Sequence, residues 1–271
     1  MIRILKILPG SLRDFLRDGG FMLAASLAYF GIMAMVPLSI LIIQLTGWLL
    51  GTYAGFYRFF ASKLILMFPD GAGKTASLIQ ALLASNRAGH LSLFFYIFLS
   101  YGLFLDIEAS MNVIFKTGRK RHFFLSVLFS FFMITLTGVL TLFAFAFSTM
   151  EPVLHSFGHT LGLGSGYTVL LRYIVPFSLI LTVSTSIYVI LPARKVRFVN
   201  ALKGGIFTAL MMELAKIAFS VYLERIIPRI GIIYGPLSAF VILLLWIFYS
   251  SCIFLLGGEV VHGLESKRSV R

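Results

Sequence analysis

The chain is 271 residues long, 59% hydrophobic and only 12% charged, with a mean hydropathy of +0.97. Soluble domains carry about 25% charged residues, so a large soluble core is excluded and the main solvent is lipid. The net charge of +13 would point to nucleic acid in a soluble protein. In a membrane protein it marks cytoplasmic loops facing anionic headgroups.

Residues 1–20 are short, basic and partly amphipathic. The apolar run that follows is too long for a signal-peptide core and lacks a cleavage pattern, so it reads as a retained first helix. A helix needs about 20 apolar residues to cross a bilayer. Six segments qualify: about 21–50 with Pro37 inside, 91–105, which is short and aromatic, 123–150, 167–191 with Pro176 inside, 201–223 and 237–257. The chain reads as all-α, a single six-helix transmembrane domain over 1–271.

Charge separates the loops into two sets. Arg3, Lys6, Arg13 and Arg17 precede the first helix. Lys116, Arg119, Lys120 and Arg121 join the second to the third. Arg194, Lys195, Arg197 and Lys203 join the fourth to the fifth, and Lys267, Arg268 and Arg271 follow the sixth. The opposite side holds Arg58, Lys63, Lys74, Arg87, Arg225 and Arg229, with Arg172 at its border. The positive-inside rule places the richer set, and with it both termini, in the cytoplasm.

The first external loop is long but not polar. Phe56, Tyr57, Phe59 and Phe60 mix with Arg58 and Lys63, residues 70–73 (Asp-Gly-Ala-Gly) read as a turn, and Leu78, Ile79, Leu82 and Leu83 resume a helical apolar pattern. This predicts a short helical hairpin over 53–86, lying in the outer interface or packed on the bundle. In the loop between the third and fourth segments His155 and His159 share an i, i+4 spacing. Two imidazoles do not make a metal site, and no carboxylate or cysteine stands at a ligand spacing beside them.

Gly73-Lys74-Thr75 invites a nucleotide reading. A phosphate-binding loop needs glycine five positions before that triplet, and Phe68 stands there. The lone Cys252 forms no internal disulfide. No nucleophile–base arrangement is visible, so neither a cofactor, a metal nor an enzymatic activity is expected. His90, His122 and His262 stand near helix ends, where snorkelling to the interface is the simple account.

Ionisable residues inside a membrane carry more information, because each costs roughly 2.5–3.5 kcal/mol on insertion scales. Glu213 lies near the middle of the fifth segment, with Lys216 one turn on. They are either a structural ion pair or the wall of a polar cavity that handles a charged substrate or a proton. Asp106, Glu108 and Glu259 close their segments at the cytoplasmic edge, where salt bridges to basic loops are the plain reading. Pro37 and Pro176 would kink their helices and free carbonyls. Thr182, Ser184, Thr185 and Ser186 either line a cavity or bond their own helix.

An ordered series of motifs carries a family resemblance. The first helix reads Ala24-Ala25-Ser26-Leu27-Ala28-Tyr29-Phe30, followed by Pro37-Leu38. Next come Ile107-Glu108-Ala109-Ser110-Met111-Asn112, Leu191-Pro192, Lys195-Val196-Arg197 and Glu213-Leu214-Ala215-Lys216. Phe219, Tyr222, Tyr234-Gly235-Pro236, Trp246 and Gly257-Gly258-Glu259 complete it. In order and spacing this resembles the YihY/BrkB family of bacterial inner-membrane proteins, over about residues 10–265. The resemblance implies six helices in the inner membrane. Members have been labelled ribonuclease BN, which the missing catalytic constellation speaks against. Others are linked to virulence, serum resistance and export of lipid A-type precursors.

The leading expectation is a transporter or flippase-like handler of a lipid or lipid-linked envelope component. The residues expected to line its path are Tyr29, Pro37, Glu108, Asn112, Glu213, Lys216, Tyr234 and Glu259. Its partners would be membrane lipids, with anionic headgroups on the cytoplasmic side, and no specific nucleic acid. A non-transporting scaffold for envelope assembly is the alternative, and a membrane-bound ribonuclease the remote one. A channel would require a homo-oligomer or a pore-lining ring. No repeated half signals inverted-repeat transport.

Overall fold

The computed structural model describes residues 7–34, 86–117, 128, 174–234 and 238–269. Among these there are six helices and no strand: α1 Leu8–Arg17, α2 Gly20–Ala34, α3 Asn86–Ile114, α4 Val175–Ile190, α5 Phe198–Tyr234 and α6 Ser238–Ser269. The third predicted segment, apart from Leu128, lies outside the described residues. So do residues 53–85 of the external hairpin, with its turn, and Pro37, His155 and His159.

Within α5, Phe198–Arg225 is long and apolar enough to cross a membrane, with a mean hydropathy of 1.6; within α6, Phe240–Ser266 is so too, at 2.4. Gly20–Ala34 and Val175–Ile190 are shorter apolar helices.

The helices run past the ends that hydropathy predicts. α3 extends from Asn86 to Ile114 rather than 91–105, and α6 continues to Ser269 rather than 257. Polar residues such as Asp106, Glu108 and Glu259 lower hydropathy without breaking a helix, since acidic residues are only slightly worse helix formers than apolar ones. At 37 residues, α5 is about 55 Å long at 1.5 Å per residue, well beyond a hydrocarbon core of about 30 Å.

Local chemistry explains the true ends. α3 stops where Lys116 adopts a left-handed φ of 51°. The Thr117 N–H bonds the Asn112 carbonyl and the Lys116 N–H bonds the Val113 carbonyl, both at 3.0 Å. This is the Schellman closure, which satisfies carbonyls that the helix end leaves open. Pro176 stands near the start of the described part of this segment, and Ile174 before it is also helical.

The chain clusters into two compact units, formed by Met1–Ala24, Phe104–Lys216 and Ser250–Arg271, and by Ala25–Leu103 and Ile217–Tyr249. In the second, the Phe219 ring packs on Trp246 with centroids 4.9 Å apart and on Tyr222 at 6.1 Å. Gly102 gives room to Phe30, whose ring edge would stand 3.2 Å from an added Cβ.

In the first unit α4, α5 and α6 pack through glycines. A Cβ on Gly204 would run into Val261 and lie 3.1 Å from the Gly257 carbonyl, and one on Gly257 would strike the Thr208 and Tyr188 hydroxyls. Small residues at such crossings let helix backbones approach, which is how helices associate in lipid. Tyr188 is fully buried there. Its hydroxyl donates to the Phe254 carbonyl at 2.5 Å and lies 2.9 Å from Thr208 Oγ1. Its ring stacks on Phe254 with centroids 5.2 Å apart.

Candidate functional site

In the first unit polar contacts tie α1, the end of α3, the link before α5 and α6 to one another. Ser11 Oγ, before the first apolar run, donates to the Glu259 carbonyl on α6 at 3.3 Å. Lys116, after α3, lies 3.8 Å from Asp18. Asn112 Oδ1 accepts the Ala193 N–H at 3.0 Å, tying the end of α3 to the link after α4. Glu265 on α6 accepts the Arg197 N–H at 3.1 Å and the Asn200 side-chain amide at 2.7 Å at the start of α5. Open N–H groups and the positive end of the dipole make a helix start a natural place for that carboxylate.

Glu259 sits inside this polar end. Only 1% of it is exposed, and neither carboxylate oxygen has a hydrogen-bond partner among the described residues. It does not lie at a solvated helix end, as hydropathy places it; α6 continues for ten residues past it. Two contacts explain its burial. Gly258 brings α6 within ordinary contact of Met111 and Ile114 on α3, and Gly263 lets Ile7 and Ser11 settle onto α6. Asp14 and Asp18 from the α1 side and Lys116 from the end of α3 are the charges that act on it. The expected pairing of a helix-end carboxylate with a basic loop is made instead by Asp18.

His262, one turn further along α6, is 91% buried, and its Nδ1 has no hydrogen-bond partner among the described residues. The Phe115 ring meets it edge-on at 5.8 Å. It does not snorkel to an interface. Ser110, also fully buried, has no partner for its hydroxyl among the described residues. Among the described residues no three His, Cys, Asp or Glu side chains converge to hold a metal ion.

The other sequence candidates separate clearly. Lys216 Nζ donates to Glu213 Oε1 at 2.6 Å, and these side chains are 39% and 25% exposed. The two charges satisfy each other and stand on a partly open face of α5. Asn112 is committed to Thr117 and Ala193. Glu108 is buried, at 8% exposure, whereas Tyr29 is 57% exposed and meets Phe30 edge-on in the second unit. Tyr234 ends α5. Thr182 bonds the Ser178 carbonyl of its own helix at 2.7 Å, while Ser184 and Thr185 are buried. Glu265 was not singled out from sequence, because its partners lie 65 and 68 positions away.

Comparison with known proteins places this architecture. A family model described as Virulence factor BrkB matches residues 11–271. A UPF0761 membrane protein of Coxiella burnetii (strain Dugway 5J108-111) is 31% identical, covering 92% of this chain and 89% of its own. One from Rhodospirillum centenum is 30% identical over 98% of this chain, which spans 61% of that relative's length. One from Kangiella koreensis is 28% identical over 90% of this chain and 59% of its own. No solved structure matches. The ordered motifs and the match over residues 11–271 agree: the chain belongs to the BrkB family of membrane proteins.

Proposed function

We propose that this chain moves a lipid or lipid-linked envelope component across the bacterial inner membrane, without catalysing a covalent reaction. Both termini face the cytoplasm in this reading, which the excess of basic residues in one set of loops supports. One observation carries it: the buried Glu259 carboxylate, whose two oxygens have no hydrogen-bond partner among the described residues. An ionised carboxylate left alone in a buried site costs several kcal/mol, and ionisable groups held in membrane helices mark pathways and relays. Glu259 would exchange a proton during the transport cycle, with His262 one turn further along α6. Asp14, Asp18 and Lys116 set its field.

A second reading has support of its own. Asn112, Tyr188, Glu265 and the Glu213–Lys216 pair are all satisfied locally, as a rigid envelope-assembly scaffold requires. The purified full chain in liposomes, with head-labelled fluorescent glycerophospholipids and a membrane-impermeant quencher, separates the two. Transport predicts that the protected inner-leaflet label becomes accessible faster than in protein-free vesicles. A scaffold predicts equal rates.

A further inference from the structure

α1 is two-sided in a way the transport reading does not use. Its inner face is fixed: Ser11 and Phe15 are buried at 2% and 5% exposure, and the Ser11 hydroxyl bonds α6. Asp14 and Asp18 are only partly exposed, and they are the acids that act on Glu259. The outer face carries Leu12 and Leu16, 49% and 56% exposed, with Arg13 and Arg17 exposed beside them. Leucines and arginines each recur at i, i+4, so they form two adjacent stripes on one helix surface. The acids point in and the bases point out.

The apolar stripe does not stop at α1. Gly19, with a φ of 72°, turns the chain, and α2 opens with Phe21 and Met22, 54% and 80% exposed. Phe21 meets the buried Phe15 edge-on at 5.3 Å, so the turn holds its shape. The outer face of α1 therefore runs into the exposed start of an apolar helix in a membrane protein. A helix with one apolar stripe, a basic flank and no outward acid has the chemistry of an interfacial helix on an anionic leaflet.

We infer that α1 is a lipid-surface helix: Leu12 and Leu16 enter the acyl boundary of the leaflet, and Arg13 and Arg17 bind the phosphates of anionic phospholipids. The occupant of this face is the bilayer in which the chain itself sits. Because α1 is bonded to α6 beside Glu259, the lipid surface and the polar end share one helix.

The test uses the full chain in nanodiscs. Cys252→Ser removes the native thiol, and Leu16→Cys carries an environment-sensitive NBD label. One set of discs is phosphatidylcholine alone; the other includes phosphatidylglycerol. The expected result is blue-shifted emission, quenched by brominated acyl chains, and stronger in the anionic discs. Adding Arg13→Gln and Arg17→Gln lowers the preference for anionic lipid by about fivefold per arginine, while the melting temperature stays unchanged because both side chains are exposed. Water-like emission in both discs overturns the inference. So does burial indifferent to headgroup charge and to the arginines, or burial accompanied by cross-linking of Leu16→Cys chains to each other, which would assign the face to a second copy. Each of these leaves the transport assay free to succeed or fail.

Discussion

Asn112 Oδ1 accepts the backbone N–H of Ala193 at 3.0 Å, across 81 positions of sequence. The same oxygen accepts the Thr117 hydroxyl at 3.0 Å. One amide thus closes the end of α3 and anchors the link between α4 and α5. Asn112→Ala leaves the Ala193 N–H without its acceptor and should destabilise the protein by about 1–3 kcal/mol. Asn112→Asp keeps an acceptor and should lose less. Denaturation in a mild detergent checks both; equal losses would show that the acceptor is not what matters.

Two glycines should respond differently to alanine. A methyl on Gly257 meets the Tyr188 and Thr208 hydroxyls, whereas one on Gly10 meets nothing within 4 Å. Overpacking costs typically 1–3 kcal/mol, so Gly257→Ala should lower the melting temperature. Gly10→Ala adds helix propensity worth up to about 1 kcal/mol and should raise it or leave it unchanged.

The carboxylate of Glu265 serves the first turn of α5 from another helix. Glu265→Ala should cost about 0.5–2 kcal/mol, as loss of an N-terminal cap does. Glu265→Gln keeps an acceptor oxygen and loses only the charge, so a smaller loss is expected. Hydrogen exchange at Arg197 and Asn200 should rise in the alanine variant before exchange rises elsewhere in α5.

The Glu213–Lys216 pair should behave as a closed unit. Glu213→Gln or Lys216→Met alone strands the partner's charge, so each single variant should be less stable than the double. The coupling for a partly exposed pair one turn apart should be about 0.2–1 kcal/mol. Transport should survive in the double variant. Its loss there would return the pair to the functional site.

The fold was legible where hydropathy reports directly on lipid. The apolar segment 201–223 lies within α5, and residues 238–257 of the last predicted segment lie within α6. Helix ends were not legible. Hydropathy falls at Asp106 and Glu259 while the backbone continues, and the true end of α3 depends on a left-handed Lys116 that no composition signals.

The candidate site divides the same way. Glu213 stands out in sequence because it interrupts an apolar run, and three residues on is the lysine that satisfies it. Glu259 looks ordinary, an acid after two glycines near the end of a segment. Its burial comes from the close approach of α1 and α3 to α6, which is tertiary and leaves no local pattern. The His262 assignment failed for the same reason.

The most direct measurement is transport and melting temperature together for Glu259→Gln, a neutral side chain of nearly the same shape. If Glu259 exchanges a proton during the cycle, the variant melts at or above the wild-type temperature, because a costly buried charge is gone, and its transport falls to the rate of protein-free vesicles. Wild-type transport in a folded Glu259→Gln protein would contradict the account.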